Sequence, residues 1–230
     1  MLESDDRRRL IELYEQRLEE KGVSVQTVGW RSRRQQEVRF QVLLEIGSMA
    51  GREVLDVGCG LGDLVDSLSR LQAAGYTGID LAGALIEEAR RLHADSASPP
   101  RIDFRQGDLG EDLAIHHWVL ASGIFAFPVR DPQRYLRRTV KRMYDLCHLG
   151  VAFNCISSYV DYQDDSLVYH DPREVLALAK SLSGRVLLRH DYMPFEFTVY
   201  IYKEEQADEE NIFRSYRPAS LQSQLGDRHE

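Results

Sequence analysis

No apolar run in the 230-residue chain approaches the roughly 20 residues that a membrane-spanning helix requires. Cysteine is scarce: Cys59, Cys147 and Cys155 are odd in number and form no Cys-x-x-Cys pair. That excludes a disulfide framework and reads as a reduced, intracellular protein. No cluster of His, Cys and acid has metal-ligand spacing, so no structural metal is expected. Positive charge is in deficit, 29 Lys and Arg against 37 Asp and Glu, for a formal net charge of −8. Such a balance argues against a general binder of the nucleic-acid backbone, which shows a basic face. An apolar leader is missing too, because Asp5-Asp6-Arg7-Arg8-Arg9 stands where its core would be. A cytoplasmic location is therefore expected. There is no internal repeat. With 43% hydrophobic and 29% charged residues, the composition is that of a globular protein, long enough for one α/β domain and short for two.

What is present centres on Glu53 to Leu64, Glu-Val-Leu-Asp-Val-Gly-Cys-Gly-Leu-Gly-Asp-Leu. A strand-length apolar run, Val54 to Val57, breaks into Gly58, Gly60 and Gly62. A helical pattern follows, with Leu61, Leu64, Val65, Leu68 and Leu71. Strand, glycine turn and helix form the first crossover of a nucleotide-binding α/β sheet. In the dinucleotide fingerprint Gly-x-Gly-x-x-Gly the helix start holds a pyrophosphate. Here the third glycine comes one residue early, and Asp63 stands where that fingerprint has Gly. Asp56 sits just before the turn. A carboxylate there suits a cationic ligand better than a phosphate.

Downstream, Tyr76 to Asp80 reads as a second strand ending in an acid, 18 residues past Gly62, the place from which a carboxylate accepts both ribose hydroxyls. Ala82 to His93 reads as a helix, Ala97-Ser98-Pro99-Pro100 as a break, and Arg101 to Gln106 as a third strand followed by Gly107-Asp108-Leu109. A fourth strand is expected over His117 to Ser122, then a helix from Arg130 or Asp131 to Leu146, and a fifth strand over Gly150 to Ile156. Ser157 to His170 is polar and tyrosine-rich and reads as a loop. Asp171-Pro172 supplies an N-cap and a first-turn proline for a helix ending near Leu182. Arg185 to His190 and Phe195 to Lys203 read as two strands, antiparallel because Tyr192-Met193-Pro194 leaves so short a connection. Ahead of the sheet, residues 4–21 and Ser32 to Ile46 read as helices, with Leu10, Ile11, Tyr14 and Leu18 on the inner face of the first and Val38, Val42, Leu43 and Ile46 on that of the second.

The Glu53–Leu64 stretch resembles motif I of the class I S-adenosylmethionine-dependent methyltransferases, and the later elements follow in that family's order over about residues 50–203. The resemblance implies a Rossmann-like seven-stranded sheet, mostly parallel, with an antiparallel last strand inserted beside the sixth and helices on both faces. It divides the chain into an N-terminal helical cover (1–49), a core that binds S-adenosylmethionine (50–203) and a polar tail (204–230), in which Ile212, Phe213 and Tyr216 are possible anchors. It implies a cofactor site of Asp56, Gly58, Cys59, Gly60, Gly62, Asp80, Leu81, Asp108, Leu109 and Ser122, with Asp80 on the ribose and Asp108 on the adenine amino group. The product would be S-adenosylhomocysteine. Two departures stand out. His116-His117 occupies the start of strand four where an acid is usual, and no Asn/Asp-Pro-Pro-Tyr motif follows that strand, which argues against methylation of a DNA base.

An acceptor would sit above the carboxyl ends of the strands, where the strand order reverses. Ser122, Phe125, Asn154, Ser157 and the Tyr159–His170 loop are candidate walls. His190, beside Asp191 and Tyr192, and His170, beside Asp171, are candidate bases, each with an equal reading as an ordinary turn or capping neighbour. Tyr14, Trp30 and Arg39 would come from the cover, Arg39 to meet a carboxylate of the cofactor or to form a surface ion pair. The expected activity is methyl transfer to the oxygen or nitrogen of a small molecule. A protein acceptor, a non-catalytic binding module and a nicotinamide-dependent oxidoreductase are the rivals, the last disfavoured by Asp63 and by the antiparallel ending.

Overall fold

The computed structural model describes residues 2–96, 99 and 101–203; the expected tail with Ile212, Phe213 and Tyr216, and most of the Ala97–Pro100 break, lie outside them. The elements are α1 (Ser4–Lys21), α2 (Arg33–Leu44), β1 (Glu53–Val57), α3 (Val65–Arg70), β2 (Gly75–Asp80), α4 (Gly83–Leu92), β3 (Ile102–Gln106), β4 (His116–Ala121), α5 (Pro132–Asp145), β5 (Cys147–Ile156), α6 (Pro172–Lys180), β6 (Val186–Met193) and β7 (Glu196–Tyr202). The seven strands make one sheet in the order β3-β2-β1-β4-β5-β7-β6. β7 pairs antiparallel with both β5 and β6, whereas the pairs from β3 through β5 are parallel. The order reverses between β1 and β4, which opens a crevice at their carboxyl ends.

Alternation along the strands sorts the core into two layers. Leu55, Val119, Val151, Phe153 and Val199 face α5 and α6 through Leu136, Val140, Met143, Val175 and Ala179. Val54, Trp118, Leu120, Ala152 and Tyr200 face the opposite layer, with Val42, Leu43, Val65, Leu68, Ile86 and Ala89. This two-sided burial is why the central strands are near-continuous apolar runs. Helix starts follow local chemistry. Asp131 accepts from the Arg134 N–H at 2.9 Å, Asp171 from the Arg173 N–H at 2.8 Å, and Ser32 from the Gln35 N–H at 3.3 Å. Pro132 and Pro172 take first-turn positions, where a missing N–H costs nothing.

Two elements depart furthest from the sequence reading. The helix after the glycines starts only at Val65, because residues 58–64 form successive turns, and Leu71 is exposed beyond its end. β6 runs on to Met193, so that only Pro194-Phe195 turns the hairpin. Its register with β7 breaks between Arg189 and Met193. Such a bulge re-aims side chains, and here Tyr192 reaches inward to Glu196 and Thr198. The two N-terminal helices do different work. α2 joins the core through Val42 and Leu43, with the Tyr200 hydroxyl donating to the Val42 carbonyl at 2.5 Å. α1 stays outside, resting on Leu61, Ala82 and Leu85 through Tyr14 and Leu18.

Candidate functional site

At the carboxyl ends of β1, β2 and β4, below α1, lies a cavity of about 740 Å³. Its floor is the glycine turn. Gly58, Gly60 and Gly62 all have positive φ, but they serve different ends. Gly58 and Gly60 line the cavity. A Cβ on Gly60 would stand 2.6 Å from Val28 Cγ1 in the cover loop, so glycine there lets the cover close onto the turn. Gly62, expected in the cofactor set, does not line the cavity; a Cβ on it would meet the Phe104 ring at 2.6 Å, so it is a packing glycine.

Asp80 fastens the turn to the end of β2. Its Oδ2 accepts from the Gly60 N–H at 2.9 Å and its Oδ1 from the Ala82 N–H at 3.0 Å. Burial raises its pKa, and backbone N–H bonds oppose that rise. Asp108 accepts from the Gly110 N–H at 2.6 Å and pairs with Arg7 of α1 at 3.3 Å, so one helix of the cover touches the acid expected to read a base. Asp56, Cys59, Leu81, Leu109 and Ser122 also line the cavity. Nine of the ten residues expected to hold a cofactor thus line this one cavity.

Burial pushes the Asp56 carboxyl up to about 7, against a 2.9 Å hydrogen bond from the Tyr76 hydroxyl, with the charges of Asp80 and Asp63 adding to the rise. Since the unfolded value is about 3.9, the folded protein holds more protons than the unfolded chain between those limits. Its contribution to stability therefore falls as pH rises from about 4 to about 7. Asp56→Asn should raise the melting temperature above pH 7, with the gain shrinking as pH is lowered toward 5; melting curves across that range check it, and a pH-independent difference would contradict it. A cation seated against Asp56 favours the ionised form, so binding one at pH 6 should release a proton.

The far end of the cavity is lined by Asn154, Tyr169, Met193, Pro194, Phe195 and Glu196. Asn154 accepts from the Gly123 N–H at 2.7 Å and donates to Ser122 at 3.3 Å, bracing the loop after β4. Glu196 is buried and bonded by Arg39 at 2.6 and 2.7 Å and by the Tyr192 hydroxyl at 3.1 Å. Burial raises its pKa, and Arg39 pulls it back. Arg39 also stacks on Trp30, 4.5 Å from the ring centroid. It is thus neither a surface ion pair nor an uncommitted cation, although it lines the cavity with Tyr14 and Trp30.

Neither expected base lines the cavity. His170 is buried behind Phe125, its Nε2 within 3.0 Å of the Phe125 carbonyl, where its backbone closes the 157–170 loop. His190 is wedged between the Tyr159 and Phe197 rings on the β6 side. The Phe125 carbonyl holds the His170 ring, and His190 falls within the irregular stretch of β6 between Arg189 and Met193. Sequence reasoning missed Glu196, whose signal is an acid at the head of an otherwise apolar strand. It also missed Tyr76, Gln36 and Arg17, for which no local pattern speaks. Gln36 donates to Asp63 at 2.8 Å and so ties α2 to the turn. Among the described residues, no group of three His, Cys, Asp or Glu is arranged to hold a metal, and no helix is long and apolar enough to cross a membrane.

Residues 54–147 match the family model described as a methyltransferase domain. Over 69 residues the chain is 42% identical to a ubiquinone biosynthesis O-methyltransferase of Albidiferax ferrireducens, covering 30% of this chain and 27% of that protein. A protein of the same name from Acinetobacter baylyi is 45% identical over 60 residues, 26% of this chain and 24% of that one. The chain thus matches these curated relatives over about a quarter of their length. The fold resembles a magnesium protoporphyrin IX methyltransferase from Synechocystis PCC 6803 solved with bound SAH, at a TM-score of 0.62 and 14% identity, covering 84% of this chain and 93% of that one. A DhpI–SAH complex gives a TM-score of 0.60 at 19% identity, over 83% and 93% of the two chains.

Proposed function

We propose, for a chain that belongs to the class I S-adenosylmethionine-dependent methyltransferase family, that it transfers a methyl group from S-adenosylmethionine to an oxygen of a small molecule. A nitrogen acceptor is the alternative. The observation that supports this is the cavity that Asp56, Gly58, Gly60, Asp80 and Asp108 line together. That donor set fits a nucleoside with two hydroxyls and a cationic tail. Asp80 would hold the ribose, Asp108 the base, and Asp56 the cationic end, with Cys59, Leu81, Leu109 and Ser122 filling the wall. Oxygen is favoured by the names of the partial relatives.

Bound, the cofactor supplies an activated methyl group, so the protein's work is alignment and exclusion of water. α1 and Trp30 roof the cavity. Asn154 fixes the loop carrying Ser122 and Gly123. Glu196, with its raised proton affinity, is placed to take the proton that a hydroxyl acceptor must lose. A cavity of about 740 Å³ suits a small molecule better than a protein segment. Three buried free thiols accord with a cytoplasmic setting.

Calorimetric titration with S-adenosylmethionine and with NAD tests the reading. Micromolar-range binding of the first alone is expected, followed by S-adenosylhomocysteine release with members of a hydroxyl and amine acceptor panel. Tight NAD binding would sink it. Cofactor binding with no turnover on any acceptor, peptides included, would favour a non-catalytic binding module.

A further inference from the structure

We propose that the cover carries a carboxylate-binding site at the mouth of the cavity, built from Arg17, Lys21 and Arg31. Identifying which carboxylate it takes rests on the reading above; the existence of the site does not. Arg17 projects from the last turns of α1. Its guanidinium lies 5.6 Å from the Tyr14 ring centroid and 5.7 Å from that of Phe127. Its Nη1 is buried and has no hydrogen-bond partner. A buried guanidinium donor left without an acceptor costs free energy, and a ligand that supplies an acceptor recovers it.

The surroundings point to an anion. A second hollow of about 300 Å³ is lined by Arg17, Lys21, Gln26, Gly29, Trp30 and Arg31, with no acid among them, and it shares four of these with the main cavity. Among the described residues, no carboxylate lies within ion-pair distance of the three cations. Asp164 is the acid that Arg31 influences from farther off, and Ser166 already bonds it. In a chain of net charge −8, three cations gathered without a paired acid are an exception. Arg39, the other cation of this wall, is committed to Glu196 and to the Gln35 carbonyl. A planar guanidinium flanked by Tyr14 and Phe127 suits a carboxylate joined to a flat or slender body. Two sources share that chemistry: the amino-acid end of the cofactor, and an acidic group on an aromatic acceptor.

Arg17→Met keeps the apolar stem between the rings and removes the charge. Its binding of S-adenosylhomocysteine, of methylthioadenosine (which lacks the amino-acid end) and of benzoate is compared with wild type by calorimetry, with melting curves to confirm folding. If the cofactor supplies the carboxylate, affinity for S-adenosylhomocysteine falls about ten- to a hundredfold while that for methylthioadenosine holds. If the acceptor supplies it, S-adenosylhomocysteine binds as before and benzoate binding, present in wild type, is lost. A variant that binds both as wild type does overturns the proposal. Should wild type fail to bind S-adenosylhomocysteine, the proposed activity fails, and benzoate alone decides the site: bound by wild type and not by the variant, it stands; bound equally by both or by neither, it falls.

Discussion

Asp80→Ala is expected to weaken S-adenosylhomocysteine binding at least about a hundredfold, by removing hydrogen bonds from a charged acceptor worth about 1.5–3 kcal/mol each. The same change should destabilise the empty protein. The Gly60 and Ala82 N–H groups, at 2.9 and 3.0 Å from the carboxylate, lose their acceptor, at about 1–3 kcal/mol apiece if they stay dry. For a chain of this size that lowers the melting point by about 4–24 °C. Asp80→Asn separates the two effects, because it keeps an acceptor for one backbone donor while removing the charge. Calorimetry beside melting curves is the measurement. Unchanged affinity in Asp80→Ala would remove Asp80 from the site, whatever its effect on stability.

The second large effect concerns Glu196. Glu196→Ala leaves Arg39 with a charge that is 13% exposed and with the Gln35 carbonyl as its remaining acceptor. Stranding one member of a buried pair costs about 3–5 kcal/mol. Replacing both, Arg39→Leu with Glu196→Leu, should return much of that loss, since desolvation of the two charges disappears together. Denaturant unfolding of the two single variants and the double one measures the coupling. Additivity within about 0.5 kcal/mol would show the pair to be energetically idle. Glu196→Gln keeps a hydrogen-bonding shape toward Arg39 and Tyr192, so turnover lost with most of the stability retained would mark the carboxylate as the proton acceptor.

Much of the architecture was legible because buried parallel strands are short apolar runs and their helices begin with readable caps. Val54 to Val57, Asp131-Pro132 and Asp171-Pro172 each announced an element within a residue or two of its place. The antiparallel ending was legible from chain length alone, since so few residues between strands permit no crossover. That Asp56, Asp80 and Asp108 would line one cavity followed from order: each stands at or just past the carboxyl end of one of the first three strands. The acceptor end was not legible. Its geometry depends on a bulge in β6 and on which way His170 and His190 face, and period-two reasoning says nothing once the register breaks. Arg17 and Gln36 were hidden for another reason: each finds its surroundings across an interface between distant segments, so no spacing encodes them. Gly62 misled because positive φ is common to ligand turns and to tight packing, and only the neighbouring Phe104 ring distinguishes them.

The strand order also governs how the chain can be built. β5 is made long before the strand that flanks it, because β6 must emerge, skip one position, and leave a slot that β7 fills from the end of the core. During synthesis the outer edge of β5, with Val151, Phe153 and Cys155 on one face, stands open for the time needed to translate about fifty residues, a few seconds at ribosomal speed. An open edge of that kind templates pairing between nascent chains. Chaperone dependence and loss to inclusion bodies should therefore track the delay in delivering β7, so that slow codons between β5 and β7 harm yield more than the same codons placed before β4.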